Sequence, residues 1–158
     1  MKLTSIAFAT GLILTSTTLM MAQLAVPAFE FTDLEDHPFS NDNLDQGKST
    51  LIIYFDPWCE HCNQQAAWIA EESSDFRDVQ VLFITFEPEK EPIEAFRQQH
   101  FSSGDWSHVV FLQDLDFMFE SYFGYTDDPL YIYCYKPGNR NGTYFGKEQP
   151  AEVLLNNL

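Results

Sequence analysis

Basic residues are scarce in this chain. Its 158 residues include eight Lys and Arg against 24 Asp and Glu, which gives a formal net charge of −16. So strong a negative balance disfavours nucleic acid and anionic lipid as partners, because both repel an acidic protein. The acidic side chains are best explained as a solubilising surface.

Long hydrophobic runs are also nearly absent. Lys2 is the only charge before Glu30, and residues 6–21 are largely apolar but rich in Ser and Thr. The polar residues keep this run short of the roughly 20 apolar residues that a spanning helix needs. Ala22 offers a small residue for cleavage, so the pattern predicts a signal peptide rather than an uncleaved membrane anchor.

The predicted processing sets the domain organisation. We expect a signal peptide over residues 1–22 and a single domain over residues 23–158. The mature protein would then be periplasmic or otherwise extracytoplasmic, without membrane insertion once the signal is cleaved. No internal repeat, low-complexity tract or linker divides the chain.

Cysteines are few, which limits metal chemistry. There are three of them, and the chain has neither a second CxxC nor an HxxxH motif. A structural zinc ion usually takes four such ligands, so no metal and no cofactor are predicted. Cys134 lies in an apolar, aromatic stretch and is expected to be a buried core thiol.

The most informative feature is the segment Cys59-Glu60-His61-Cys62. Residues 51–55 form a short apolar run typical of a buried strand, and Asp56-Pro57 interrupts it before a helical segment begins at Cys59. The first cysteine therefore falls at a helix N-terminus, where free N–H groups and the helix dipole favour a negative charge. Because the thiolate is the reactive form of cysteine, the pattern predicts a dithiol–disulfide redox site.

Strands and helices alternate along the rest of the chain. Strands are predicted at residues 51–55, 79–86, 107–112, 130–135 and 143–145, and helices from Cys59 to about Phe76, from Pro92, from Asp114 to Phe123 and from Ala151 to Leu158. This order indicates an α/β fold with a central sheet covered on both faces. A CxxC at a strand–helix junction is typical of thioredoxin-like proteins.

The chain resembles the thioredoxin-like superfamily, and in particular the exported TlpA/ResA-type thiol–disulfide oxidoreductases. The resemblance extends from about Pro27 to Leu158. Three features carry it: the extended lead-in with Pro27, Phe29 and Phe31, the active-site turn from Tyr54 to Cys62, and Asp128-Pro129 before the fourth predicted strand. It implies a mixed sheet flanked by helices, extra N-terminal strands and a cis-proline beside the cysteines.

The resemblance also implies roles for individual residues. Cys59 would be the nucleophile and Cys62 the resolving thiol; Glu60, His61 and Asp128 would tune the redox potential; Trp58 and Pro129 would contact the substrate. His61 would favour the thiolate, whereas Glu60 and Asp128 would disfavour it, so the direction of electron flow is left open.

Three positions depart from the family pattern. Ile53 stands where cytosolic thioredoxins often have a buried acid, and Gln65 stands where the TlpA/ResA type often has a Glu. A neutral amide can hydrogen-bond but cannot accept the proton of Cys62. Asp128 precedes a proline that usually follows an uncharged residue.

The sequence therefore predicts an exported thiol–disulfide oxidoreductase, with reduction of envelope proteins as the preferred direction. Its partners would be protein thiols and disulfides together with an unidentified redox partner. Two alternatives stay open. One is a non-catalytic thioredoxin-like binding module that uses its aromatic surface. The other is a thiol peroxidase, although Asp56 replaces the Thr or Ser that peroxiredoxins have three residues before the nucleophile.

Overall fold

A seven-stranded mixed sheet forms the centre of the protein in a computed structural model that describes residues 26–125, 127, 130–139 and 141–158. The strands are β1 (Glu30–Asp33), β2 (Pro38–Ser40), β3 (Ser49–Tyr54), β4 (Val79–Thr85), β5 (Val109–Gln113), β6 (Tyr131–Tyr135) and β7 (Thr143–Phe145). The helices are α1 (Glu60–Glu71), α2 (Lys90–Phe101), α3 (Phe119–Phe123) and α4 (Ala151–Asn156). The predicted signal peptide over residues 1–22 lies outside the described residues, as do Asp128 and Pro129.

The strand order is β2-β1-β5-β4-β3-β6-β7. Strands β3, β4 and β5 run parallel, while β1, β2, β6 and β7 pair antiparallel with their neighbours. The carboxyl ends of the three parallel strands therefore meet at one edge of the sheet. The predicted α/β architecture with a central mixed sheet is confirmed.

Alternating side chains of each strand supply two separate cores. In β3, Leu51 and Ile53 join the cluster that packs against α1, α2 and α4, with Ile69, Phe96 and Leu154. Ile52 faces the opposite cluster, which includes Phe31 of β1 and Phe119 of α3. Because both faces are covered, the middle of β3 and most of β4 are runs of consecutive apolar residues rather than an alternation with polar ones.

The N-terminal lead-in is a β-hairpin, as the resemblance implied. Strand β1 pairs with β2 and also lies antiparallel to β5, with Thr32 opposite Gln113. The Asp33 carboxylate accepts the N–H groups of Glu35 at 2.9 Å and His37 at 2.8 Å, which closes the turn between β1 and β2. The lead-in thus extends the sheet on the side away from β6.

Two predicted helices are shorter than expected. Helix α1 ends at Glu71 rather than near Phe76, because Ser74 donates to Asp75 and the Asp75 N–H donates to the Glu72 carbonyl, forming turns in place of helix. Helix α3 begins at Phe119 rather than at Asp114, because Phe117 has φ +55°, outside the helical region.

Candidate redox site

The turn after β3 delivers the first cysteine to the start of α1. The Asp56 carboxylate accepts the Trp58 N–H at 2.8 Å, and the Asp56 carbonyl accepts the Cys59 N–H at 3.0 Å. This double contact is the turn chemistry typical of Asp, and it ends with Cys59 in extended conformation at the N-cap of α1. Cys59 therefore lies where the N-terminal dipole of a 12-residue helix favours negative charge.

The two thiols differ in exposure. Cys59 is half-buried, whereas Cys62, one helical turn further, is 1% exposed, and neither is in a disulfide. Burial, and secondly a hydrogen bond with Cys59, raises the pKa of Cys62 above the ordinary range, while the Asp56 N–H acts in the opposite direction. The geometry therefore makes Cys59 the accessible sulfur and keeps Cys62 protonated behind it.

His61, between the cysteines, has a partner that the sequence did not indicate. Its Nδ1 lies 3.0 Å from Oε2 of Glu148, in the connection from β7 to α4. The backbone N–H of Glu148, and then the hydrogen bond from His61, hold the pKa of this carboxyl below its ordinary value. The side chain of His61 is 52% exposed, so its contact with Glu148 lies at the surface beside the cysteines.

Gln65 anchors the same connection to α1. Its Nε2 donates to the Gln149 carbonyl at 3.1 Å, and its Oε1 accepts the Gln149 N–H at 2.7 Å. Because Gln65 is one helical turn after His61, the two side chains hold consecutive residues of the connection against one face of α1. The amide that departs from the family pattern thus has a structural role of its own.

Asn63 ties the active-site turn to α2. Its amide Nδ2 donates to the carbonyls of Pro57 at 3.2 Å and Cys59 at 2.9 Å, and its Oδ1 lies 2.9 Å from Nε2 of His100. Burial lowers the pKa of His100. No spacing in the sequence pointed to Asn63, because its contacts depend on how α2 packs on α1.

The other predicted site residues are placed as follows. Trp58 is 68% exposed beside Cys59, and Glu60 is exposed in the first turn of α1. Asp128 and Pro129 lie outside the described residues, so their predicted roles stay predictions.

Cys134 lies well away from the CxxC. It is buried opposite Leu51 of β3, three residues before the strand end at Tyr54 that leads to the cysteine pair. Burial raises the pKa of its thiol to about 12. Its environment is that of a core thiol.

No group of three or more His, Cys, Asp or Glu side chains converges as a metal site would require, within the part of the chain that the structure describes. Among the same residues no helix is long and apolar enough to cross a bilayer.

The fold and the cysteine pair define a thioredoxin-like protein. A secreted Mycobacterium tuberculosis disulfide oxidoreductase, described as homologous to E. coli DsbE, superposes with a TM-score of 0.64 at 18% identity, covering 80% of this chain and 91% of that one. StoA from Bacillus subtilis gives 0.60 at 14% identity, covering 84% and 97%. A thioredoxin-like protein from Aeropyrum pernix gives 0.63 at 18% identity, covering 82% and 86%.

Residues 22–136 match the AhpC/TSA family, and the chain belongs to it. No curated protein matches the chain by sequence. At these identities the similar structures establish the thioredoxin-like fold.

Proposed function

We propose that this protein is an extracytoplasmic thiol–disulfide oxidoreductase that exchanges disulfides with protein partners through Cys59 and Cys62, in the reducing direction. The observation that carries the proposal is the arrangement of the pair: an accessible sulfur at the N-cap of α1 and a buried, protonated thiol one turn behind it. The thioredoxin-like fold and the secreted disulfide oxidoreductase among its structural neighbours support it.

The reaction proceeds in two thiol–disulfide exchanges. The Cys59 thiolate attacks one sulfur of a partner disulfide, the partner S–S bond breaks, and the other partner sulfur leaves as a thiolate that takes up a proton. Cys62 then loses its proton and attacks the Cys59 sulfur, which releases the second partner thiol. Two electrons have passed to the partner, and a Cys59–Cys62 disulfide is left for a separate dithiol reductant to reduce.

The sequence departs from its relatives at the proton-transfer step. The buried Gln65 amide is fully engaged by the Gln149 backbone and has no proton-accepting group to offer Cys62. The raised pKa of Cys62 keeps its thiol neutral in the reduced protein. Resolution therefore depends on proton loss to solvent or to the released partner thiolate.

The test is the redox equilibrium of the mature protein with glutathione, followed by trapping of free thiols. We expect a reversible two-electron couple, no couple in Cys59→Ser, and a stable mixed disulfide with substrate in Cys62→Ser. A protein without a reversible couple would instead be a thioredoxin-like binding module. Rapid consumption of hydrogen peroxide by the Cys59 thiol would replace the proposal with a thiol peroxidase.

A further inference from the structure

Five of the six large, exposed apolar side chains that the structure describes follow the carboxyl ends of parallel strands. They are Trp58, Phe86, Leu115, Phe117 and Met118, while the sixth, Tyr125, follows α3. Trp58 follows β3, Phe86 follows β4, and Leu115 to Met118 follow β5, so they stand at the carboxyl ends of three adjacent parallel strands. Exposed apolar side chains that are grouped rather than scattered indicate an interaction surface.

This surface lies at the same edge of the sheet as the cysteine pair. Neighbouring strands are about 4.8 Å apart, so the end of β5 lies about 10 Å from the end of β3. On the face of the sheet that α3 covers, Tyr54 at the end of β3 links the ends of the three strands: its ring lies 6.3 Å from that of Phe86, and its hydroxyl donates to Asp114 at 3.2 Å. A partner segment extended along this edge would span the strand ends from β3 to β5 with three or four residues, at roughly 3.3 Å each.

The β5–α3 connection holds its apolar side chains outward. The buried Asp114 carboxylate accepts the N–H groups of Met118 at 2.7 Å and Phe119 at 3.0 Å, which fixes the backbone between them. Phe117 is 70% exposed and has φ +55°. A left-handed conformation is unfavourable for a residue with a side chain, and an exposed ring offsets little of that cost by burial within its own chain.

Acidic side chains predominate around this surface. No Lys or Arg occurs between Arg97 and Lys136, and Lys90, at the start of α2, is paired with Asp36 at 2.7 Å. Asp116 in the β5–α3 connection and Glu120 in the first turn of α3 are exposed. A segment with apolar side chains flanked by Lys or Arg is therefore the complementary ligand.

We propose that Leu115, Phe117 and Met118 form a docking site for the redox partner's polypeptide, and that this site selects an apolar, basic segment next to the partner's reactive disulfide. This inference rests on the proposed oxidoreductase function. It assigns partner choice to the β5–α3 connection, in addition to the side chains next to the cysteines.

The experiment compares three synthetic peptides, each with one cysteine in mixed disulfide with glutathione. One carries Phe and Leu within four residues of the cysteine, flanked by Lys. In the second, Glu replaces Lys; in the third, Ser replaces Phe and Leu. Stopped-flow fluorescence of the pre-reduced protein gives the second-order rate constant for each peptide and for oxidised glutathione, at low and at high salt.

We expect the apolar basic peptide to react at least tenfold faster than the other two at low salt, with the advantage over the Glu peptide shrinking at high salt because the charges are screened. Phe117→Gly should lower the rate of the apolar basic peptide about five- to tenfold and should also slow the Glu peptide, which keeps Phe and Leu, while the Ser peptide and oxidised glutathione react as before. Phe117→Leu should keep most of the rate. Thermal unfolding is the folding control, since glycine suits the backbone at Phe117 and the Gly variant should be at least as stable as the parent.

A matched pair of charge variants separates docking from net charge. Asp116→Asn with Glu120→Gln should reduce the salt dependence of the rate for the basic peptide, whereas Glu71→Gln with Glu72→Gln, exposed at the far end of α1, should not.

Equal rates for the three peptides, or an unchanged rate in Phe117→Gly, would overturn the docking site and leave the proposed oxidoreductase function intact. Failure to reduce even oxidised glutathione would overturn both. A dimer that Phe117→Gly dissociates would show that a second copy, and not a partner, covers this surface.

Discussion

At the scale of single residues, the local environment of the cysteines differs from what their spacing suggested. His61 was expected to favour the thiolate against Glu60 and Asp128, and the structure adds a further acid, Glu148, 3.0 Å from His61. The negative charge of a carboxylate beside the imidazole disfavours a nearby thiolate, so His61 alone does not determine the field at the sulfur.

Glu148→Gln tests this pairing. The change removes one negative charge from the pair whatever the protonation state of the imidazole, so the thiolate and hence the reduced form should gain stability. We expect the glutathione equilibrium to shift about two- to fivefold towards the dithiol, since exposed ion pairs are worth up to about 1 kcal/mol. Glu152→Gln, an exposed acid in the first turn of α4, is the matched control. A shift towards the disulfide would contradict the assignment.

Gln65→Glu tests the departure from the family pattern. A carboxylate cannot donate to the Gln149 carbonyl, and it would be buried facing that oxygen, so the variant should lose about 2–3 kcal/mol of unfolding free energy at neutral pH. Protonation would restore a donor, so the loss of unfolding free energy should shrink as the pH falls below the pKa of the buried carboxyl. Urea unfolding at pH 7 and at pH 4.5 measures this loss. Gln64→Glu, on the exposed side of α1, should show neither effect.

Cys59 and Cys62 were predictable as a pair because their positions follow from a local strand–turn–helix pattern. Glu148 and Gln149 were not, because they come close to α1 only after β6, β7 and the following connection have folded against it. Asn63 was missed for the same reason, since its partner His100 belongs to α2. Contacts between elements distant in sequence leave no mark in the spacing of one segment.

At the scale of elements, buried strands were predicted well and the ends of helices less well. The apolar runs of β3 and β4 determine both their identity and their burial. The start of α3 depends instead on a tertiary contact, because Asp114 is held by Tyr54 while it caps the helix. The acidic and apolar pattern from Asp114 onward fitted a longer helix equally well.

Asp114→Ala should show how much α3 depends on that cap. The substitution leaves two backbone N–H groups and the Tyr54 hydroxyl without their acceptor, which should cost about 2–4 kcal/mol of unfolding free energy. Tyr54→Phe removes a single hydrogen bond and should cost about 1 kcal/mol. Chemical denaturation measures both, and Asp116→Ala is the exposed neighbour for comparison. If Asp114→Ala and Asp116→Ala unfold alike, the cap does not stabilise α3.

At the scale of the whole molecule, buried titratable groups make the fold sensitive to alkali. Burial raises the pKa of Cys134, Tyr133 and Tyr135 to about 12 each. Their ordinary values are about 8.5 for a thiol and about 10 for a phenol. At a pH below its ordinary pKa, each group is protonated in both the folded and the unfolded state and affects stability little. At a pH above that value the group ionises in the unfolded chain first, so stability falls as the pH rises.

Cys134→Ala isolates one of these groups. Between about pH 8.5 and 10 the unfolded thiol ionises while the folded one stays neutral, so the wild-type protein should lose up to about 1.4 kcal/mol more per pH unit than the variant. The variant should be less stable at pH 7 because it leaves a small cavity, and the gap should narrow as the pH rises. Parallel curves across this range would show that Cys134 ionises equally in both states.

The docking of β1 onto β5 has a kinetic consequence. Thr32, near the start of the described chain, finds its strand partner at Gln113, after two helices and three strands have been made. During synthesis from the amino end, the β1–β2 hairpin stays unpaired with β5 until β5 has been made. Pairing between strands so far apart in sequence slows folding. The β1–β2 hairpin should therefore be the last part of the sheet to gain protection from hydrogen exchange during refolding, and the first place where a chaperone or protease finds exposed backbone.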